Sequence, residues 1–140
     1  MKNKLYQNSK IEIRKSSIHG YGVFAKEDLK NGELLEECHH IRTTLLQNQD
    51  CDCKKKYPYK KYQYNYPYNK TYDENKPFQY ETLVLGYGSI YNSSISDGEN
   101  NAEFDTDLDN NIFIFRTIKD IKKDQEILIY YGDNWWQHHK

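Results

Sequence analysis

The sequence lacks any long hydrophobic run, and its formal net charge over 140 residues is only −1. No apolar stretch approaches the ~20 residues that cross a bilayer. The start of the chain, MKNKLYQNSK, contains no apolar segment of a secretory signal. A balanced charge creates no overall field that favours a membrane or nucleic acid as partner. We therefore expect one cytoplasmic domain with a single modest core.

Cysteine is also scarce, since only positions 38, 51 and 53 carry it. Three cysteines are too few for a disulfide framework, and an odd number fits a reducing compartment. Zinc sites usually combine two regularly spaced pairs of ligands. That spacing is missing among the candidate ligands Cys38, His39, His40, Cys51, Cys53, His138 and His139. The sequence therefore predicts no metal site.

Short strand-like segments separated by turns make up most of the chain. IEIR at 11–14 alternates apolar and charged residues, as a half-buried strand does, and NIFIFRTI at 111–118 also predicts a strand. Further extended segments are VFA, ELLEECHHI and EILIYYG, whereas SSISDGENNAEF is typical of a polar loop. No segment has a convincing amphipathic helical pattern. These features predict one mostly β domain that spans residues 1–140.

Residues 51–80 differ from the rest of the chain in composition. The run CDCKKKYPYKKYQYNYPYNKTY alternates tyrosine with Lys, Pro, Gln and Asn and contains no aliphatic side chain. Such a run cannot build a core by itself, and it predicts a surface insert or flap. Deletion of residues 54–70 is then expected to leave the fold intact. Lysines interleaved with tyrosines also leave binding of single-stranded nucleic acid open as an alternative.

Two glycines flank Tyr21 in the segment HGYG, which follows the first strand. A dinucleotide-binding turn needs a third glycine, a following helix and a later acid. Here the chain continues as VFAKEDLKNGE, which reads as strand and turn, so that interpretation fails. From these residues alone, a hairpin with one glycine at positive φ is favoured. Ser89 in GYGSIY does not fit the G-x-S-x-G pattern of a nucleophilic serine.

Three separated segments, taken together, resemble the SET-domain lysine methyltransferases. They are SSIHGYGVFAKEDLKNGELLEEC, LVLGYGSIYNSS followed by NNAEF, and TIKDIKKDQEILIYYGDNWW. The likeness is strongest to the short viral and bacterial members of the family, and it omits residues 45–80. The resemblance implies a SET fold: mostly β, with short strands in small sheets, few short helices and a C-terminal pseudoknot. The pseudoknot would be an exception to the usual unknotted topology.

The same resemblance implies a set of site residues and S-adenosylmethionine as the cofactor. The residues matching the family's cofactor-binding positions are His19, Gly20, Tyr21, Gly22, Asn92, Ser93 and Trp136. Tyr131 matches the catalytic tyrosine, and Tyr87, Phe104 and Trp135 are expected to contact the substrate. Ser93 stands where the family has histidine, whose backbone contacts the adenine. Glu126 matches the glutamate of the family's closing run, whereas Tyr130 replaces its aspartate.

Methyl transfer to lysine requires a neutral amine, although a free lysine has a pKa of about 10.4. An aromatic channel that removes water from the ammonium lowers this pKa. Six acids and no base within residues 97–109 favour a lysine-rich, basic substrate. The resemblance to the viral members implies a histone-like tail as that substrate. Phe104 lies three residues after Asn101, which matches an asparagine of the family. The resemblance implies that phenylalanine at this position favours di- or trimethylated product over monomethylated product.

The resemblance to viral members makes the nucleus of an infected host cell the alternative location. A homodimer is compatible with the sequence. The alternative function is a catalytically weak SET-like module that binds a basic peptide.

Overall fold

The computed structural model of the chain describes residues 4–44, 63–66 and 80–132. These residues form ten strands and no helix, which confirms the mostly β prediction. The strands are β1 (Ile11–Lys15), β2 (Tyr21–Ala25), β3 (Leu34–Cys38), β4 (His40–Thr44), β5 (Gln63–Tyr66), β6 (Tyr80–Val84), β7 (Asn92–Ser93), β8 (Ala102–Asp107), β9 (Ile112–Thr117) and β10 (Glu126–Ile129).

The strands assemble into three small sheets. Their orders are β1-β2-β10-β7, β3-β9-β8 and β4-β6-β5. All pairs are antiparallel except β7 with β10, which run parallel. Several neighbours are distant in sequence, so the fold depends on long-range pairing more than on hairpins.

Strand β9 lies at the centre of the second sheet and carries much of the core. Its residues Phe113 and Phe115 are fully buried, and Ile112 is buried as well. The Phe115 ring stacks on Tyr91 with centroids 4.6 Å apart. Alternation in IFIFRT thus directs both phenylalanines toward the interior, where aromatic rings contribute large apolar areas.

Strand β10 lies between β2 and β7 and receives further hydrogen bonds from the loop that follows β7. The N–H of Ser94 donates to the carbonyl of Ile129 at 2.8 Å, and the N–H of Asn101 donates to Leu128 at 3.0 Å. The Asn101 side chain also accepts from the Leu128 N–H and donates to the Glu126 carbonyl. These bonds satisfy polar groups that are buried, although the sequence predicted a polar loop here. The segment after residue 132, which the pseudoknot would involve, lies outside the described residues.

The surface interpretation of residues 51–80 is wrong for Tyr64. This residue lies in β5, which pairs with β6, and its side chain is only 9% exposed. It belongs to the hydrophobic core together with Phe113 and Phe115. A tyrosine ring supplies enough apolar area to join a core without aliphatic neighbours in sequence. Most of the insert lies outside the described residues.

Two negative observations apply to residues 4–44, 63–66 and 80–132. None of their elements is a helix long and apolar enough to cross a membrane. They also contain no group of three His, Cys, Asp or Glu side chains that could hold a metal ion. Cys38 is a buried thiol outside any disulfide, whereas Cys51, Cys53, His138 and His139 lie outside the described residues.

Candidate functional site

The glycine turn between β1 and β2 presents its backbone beside open space. Gly20 has a φ of +48°, and no heavy atom lies within 4 Å of where its Cβ would be. His19 and Tyr21 are exposed, Tyr21 to 65%. A positive φ favours glycine because other side chains adopt it at a cost. The turn therefore has open space where a side chain at position 20 would lie, as a turn that a ligand approaches closely requires.

Asn92 in β7 joins this turn to β10. Its Nδ2 lies 3.1 Å from the His19 carbonyl, 3.2 Å from the Tyr21 carbonyl and 2.8 Å from Oε2 of Glu126. The amide has two hydrogens for these three acceptors, so at least one hydrogen is shared. Asn92 is buried. It therefore fixes the positions of both turn carbonyls relative to the Glu126 carboxylate.

Glu126 and Ser16 complete this polar group, and Gly22 leaves room for it. The Ser16 hydroxyl donates to Oε1 of Glu126 at 2.7 Å. A Cβ at Gly22 would overlap the Glu126 carboxylate and lie 3.1 Å from Asn92 Nδ2. Close approach of a side chain, and not positive φ, therefore demands glycine at position 22. The sequence did not identify Ser16 as a site residue. Glu126 could be identified because it matches the glutamate of the family's closing run.

The chemistry of these groups fits one end of a cationic amino-acid ligand. Two carbonyl oxygens and a carboxylate lie together around Asn92. Oxygen acceptors of this kind suit an ammonium group, and carboxylates attract cations electrostatically. The residues present therefore fit the methionine-derived end of S-adenosylmethionine. We refer to His19–Gly22, Asn92 and Glu126 as the cradle.

Tyr131 lies just beyond β10 and is held at two points by the segment that begins with Tyr91. Its phenolic hydroxyl donates to the backbone carbonyl of Tyr91. Its backbone N–H donates to the Ser93 hydroxyl at 3.0 Å. Tyr131 is half-buried and packs against the core. The tyrosine that matches the catalytic position is thus bound to Tyr91 and Ser93, the two residues that flank Asn92 in sequence.

An aromatic cluster lies next to this tyrosine. The Phe104 ring contacts Tyr64 edge-on, with centroids 4.9 Å apart, and lies 5.9 Å from Phe113. Phe104 and Tyr87 are both partly buried and pack against the core. Burial is the main cause that raises the pKa of Tyr64 well above its ordinary value, and electrostatic repulsion from Tyr131 is the second. Phe104 and Tyr131 thus pack against the same hydrophobic core, to which Tyr64 belongs.

A buried carboxylate lies beneath the loop before Asn92. Glu36 accepts the Tyr91 hydroxyl at 2.8 Å and the Tyr87 N–H at 3.4 Å. Burial raises the pKa of Glu36, and these hydrogen bonds oppose that rise without cancelling it. Burial and the proximity of Glu36 raise the pKa of the Cys38 thiol. Cys38 is therefore a poor candidate for a reactive thiolate, and Glu36 instead holds the loop.

The structure brings most of the predicted site residues together. Gly20, Gly22, Asn92, Ser93 and Tyr131 lie in one hydrogen-bonded neighbourhood, with the carbonyls of His19 and Tyr21. Tyr87 and Phe104 pack, like Tyr131, against the hydrophobic core. Trp135 and Trp136 lie outside the described residues, so their assignment stays a prediction. Sequence reasoning missed Tyr64 because its neighbours in the chain give no signal of burial.

Comparison with known proteins identifies relatives along most of the chain. Residues 20–132 match the SET domain family. A histone-lysine N-methyltransferase of Schizosaccharomyces pombe, specific for lysine 37 of histone H3, is 30% identical over 129 residues, 91% of this chain and 77% of that protein. These matches agree with the resemblance inferred from the three sequence segments.

Solved structures give the same result. A Plasmodium falciparum protein described as a candidate histone methyltransferase is 33% identical, with a TM-score of 0.64 over 92% of this chain and 98% of that one. The methyltransferase domain of human PR domain-containing protein 2 is 15% identical, with a TM-score of 0.61 over 89% and 78%, and supports the fold alone. These relatives are eukaryotic, and the likeness to short viral and bacterial members stays a prediction.

Proposed function

Because the chain belongs to the SET-domain family and is a protein-lysine N-methyltransferase, we propose that it uses S-adenosylmethionine to methylate a lysine in a basic, histone-like protein tail. The relative from Schizosaccharomyces pombe carries the name of a histone H3 lysine-37 methyltransferase. That name supports a histone-like substrate for this chain.

One observation carries the proposal: a single pair of strands supports both the cradle and the candidate catalytic tyrosine. Parallel pairing places Asn92 opposite Leu128 and Ser93 opposite Ile129. Asn92 then binds the turn carbonyls of the cradle, whereas Ser93 binds the backbone of Tyr131. Group transfer requires donor and acceptor to be held in line at close approach. A shared strand pair provides such a fixed relation.

The cradle residues are proposed to hold the cofactor by its charged end. The carbonyls of His19 and Tyr21 and the Glu126 carboxylate would receive its ammonium group, while Asn92 keeps these acceptors in place. When bound, S-adenosylmethionine supplies a methyl group on a positively charged sulfur. The chain's own residues would hold a neutral lysine amine in line with that methyl group, and the lysine proton would pass to solvent.

The aromatic residues near Tyr131 are proposed to prepare the lysine. Removal of water from an ammonium group lowers its pKa and increases the neutral fraction able to react. Phe104 and Tyr87 are partly buried, so each borders accessible space as well as the core. Aromatic faces also attract methylated ammonium groups. Trp135 is proposed to close the substrate side and Trp136 the cofactor side.

The acidic side chains of residues 97–109 support a basic substrate. Asp97, Glu99, Glu103 and Asp105 are exposed. Glu103 and Asp105 flank Phe104 in β8, so alternation along the strand directs them away from the core-facing phenylalanine. We call these four exposed carboxylates the acidic rim. Such negative groups attract lysine- and arginine-rich segments and increase their association rate. The acidic rim thus lies beside the residue proposed to contact the lysine.

Incubation with radiolabelled S-adenosylmethionine and a panel of basic proteins tests the proposal. We expect label to enter histone H3 or another basic protein, and acid-stable mass increments of one methyl each on lysine. Millimolar S-adenosylmethionine or its demethylated product should also raise the melting temperature, because only the folded chain has the cradle. A chain that shows neither a thermal shift nor heat of binding by calorimetry would overturn cofactor use.

Replacement of the family histidine by Ser93 favours a second candidate, a module that binds a basic peptide with little turnover. It differs from the first in one measurable respect. Such a module would bind histone peptides in a fluorescence titration but would not label them at long times with excess cofactor. Turnover of the bound peptide would exclude this candidate.

A further inference from the structure

The Ser93 hydroxyl lies at the point where the chain departs from the parallel ladder between β7 and β10. The Ser94 N–H donates to the Ile129 carbonyl at 2.8 Å. In a parallel ladder, a residue donates its N–H to one carbonyl of the partner strand. Its own carbonyl then accepts the N–H of the residue two positions after that carbonyl. The Tyr131 N–H is thus the group expected to reach the Ser94 carbonyl.

The serine hydroxyl spans these two groups. It accepts the Tyr131 N–H at 3.0 Å and donates to the Ser94 carbonyl at 2.7 Å. Ser93 is only 6% exposed, so both bonds are largely removed from water. A hydroxyl can donate and accept at once, which makes it a suitable bridge between a donor and an acceptor. The Ser93 hydroxyl therefore links the Tyr131 N–H to the Ser94 carbonyl in place of a direct backbone hydrogen bond.

From this bridge we infer that Ser93 is a positioning residue for Tyr131. The bridge fixes the Tyr131 backbone, and the phenolic hydroxyl is bound to the carbonyl of Tyr91 in the same segment. Residues 91–94 thereby hold the tyrosine at both ends, which restricts the position of its hydroxyl at the reaction centre. The inference rests on the proposed function. It assigns to Ser93, which replaces the family histidine, a structural role through its side-chain hydroxyl.

Two measurements on three variants and a control test the inference. Ser93→Ala removes the bridge, Ser93→Cys keeps the size but offers a weak acceptor, and Ser93→Thr keeps the hydroxyl. Ser94→Ala is the matched control, because Ser94 is 4% exposed and its hydroxyl bonds to the Ser96 carbonyl and not to Tyr131. Amide hydrogen exchange of Tyr131 reports the bridge directly, without any need for turnover. Steady-state kinetics report the effect on the reaction.

We expect Ser93→Ala to speed exchange of the Tyr131 amide and to lower kcat, each by about three- to tenfold, because one hydrogen bond is lost. KM for the cofactor should change little, since the cradle is intact. Ser93→Thr should restore both values, Ser93→Cys should lie between them, and Ser94→Ala should change neither. If Ser93→Ala does not fold, Ser93→Cys carries the comparison with Ser94→Ala.

Equal effects of the substitutions at 93 and 94, or an unchanged Tyr131 exchange rate in Ser93→Ala or Ser93→Cys, would overturn the inference. A wild-type chain without turnover on any basic protein would overturn the proposed function and the catalytic part of this inference with it. In that case the exchange rates still decide whether the hydroxyl holds Tyr131. The two failures are therefore distinguishable.

Discussion

The phenolic hydroxyl of Tyr64 donates a 2.6 Å hydrogen bond to the carbonyl of Gly88, which ties the Tyr- and Lys-rich insert to the loop before Tyr91. The Tyr64 ring contacts Phe104, Phe113 and Phe115 edge-on at centroid distances of 4.9, 5.3 and 6.3 Å. Tyr64 thus connects the core with the loop that leads to Tyr91, whose carbonyl accepts the Tyr131 hydroxyl. This part of the insert is structural.

Tyr64→Ala should reduce the free energy of unfolding by about 3–5 kcal/mol, as large aromatic truncations in cores do. Tyr64→Phe should cost about 1–3 kcal/mol, because it leaves the Gly88 carbonyl without this partner. Urea unfolding followed by fluorescence measures both values. Deletion of residues 54–70 removes Tyr64 and should be at least as destabilising as Tyr64→Ala, in contrast to what the composition suggests.

Tyr6→Phe is the control for these variants, because the Tyr6 side chain is 44% exposed. It should change stability by no more than about 0.5 kcal/mol. A folded deletion variant with wild-type stability would show that the core does not depend on Tyr64.

Gly22→Ala should abolish most cofactor binding. Its methyl group would overlap the Glu126 carboxylate, which is held by Ser16 and Asn92, and would force the cradle apart. Loss of one or two hydrogen bonds corresponds to at least about tenfold weaker binding. Isothermal titration with S-adenosylmethionine measures the change.

Gly32→Ala separates steric overlap from backbone strain. Gly32 has a φ of +80° but open space around the position of a Cβ, and it lies outside the cradle. This variant should lose stability and keep its affinity for the cofactor. Equal losses of affinity in both variants would mean that the glycines act through general destabilisation.

Tyr131→Phe should lower kcat by roughly 10²-fold or more while cofactor affinity stays nearly unchanged, as for removal of a single catalytic hydrogen-bond donor. The lost hydroxyl lies at the proposed reaction centre, whereas the cradle depends on Asn92 and Glu126. Labelled-methyl transfer gives the rate, and titration calorimetry gives the affinity. Turnover close to that of the wild type would assign the catalytic role to another residue.

The strands with a regular alternation of side chains could be predicted because that signal is local. IEIR alternates apolar and charged residues, IFIFRT is a short apolar run that ends in polar residues, and both form strands. Asn92 and Tyr131 were found through the order of three family segments, not through any local pattern. A resemblance of this kind identifies which residues belong to the site and does not identify the contacts that they make.

The contacts of Tyr64 and Ser93 could not be predicted in this way. Tyr64 lies in a run without aliphatic residues, and its burial depends on pairing of β5 with a strand that begins at Tyr80. The partner of the Ser93 hydroxyl lies 38 residues along the chain. Sequence reasoning therefore treated Ser93 only as the loss of a histidine ring, since a hydroxyl bridge is visible only when both strands are in place.

Glu36 should make the chain less stable as pH rises. Burial raises the pKa of Glu36 above its ordinary value of 4.5, despite hydrogen bonds from Tyr91 and the Tyr87 N–H. The folded state then holds the proton more tightly than the unfolded state. This contribution to stability is fully present below about pH 4.5 and is lost as pH rises through the folded pKa.

Glu36→Gln removes this titration, so the stability of the variant relative to wild type should increase as pH rises above about 4.5. Urea unfolding across a pH series measures the difference. Glu37→Gln, which replaces an adjacent and only partly buried carboxylate, controls for the loss of one negative charge. A stability difference between Glu36→Gln and wild type that is constant with pH would show that Glu36 titrates alike in the folded and unfolded chain.

Phe104 should set how many methyl groups the enzyme adds. Its ring packs against Tyr64 and Phe113 and is only partly buried, so one part of it borders accessible space. A phenol at this position could hydrogen-bond the lysine amine or an ordered water in the space that a further methyl group needs. Phenylalanine offers neither contact. We therefore expect wild-type enzyme with excess cofactor to form di- or trimethylated lysine.

Phe104→Tyr should shift the product toward monomethyl lysine, because the added hydroxyl retains a water or the amine itself. Phe104→Leu removes the ring without adding a hydroxyl and should not produce that shift, even if it lowers the rate. Mass spectrometry of the methylated peptide at long times distinguishes the distributions. Wild-type product that stops at one methyl group and does not change in Phe104→Tyr would contradict both the position of Phe104 in the lysine channel and the role of the hydroxyl.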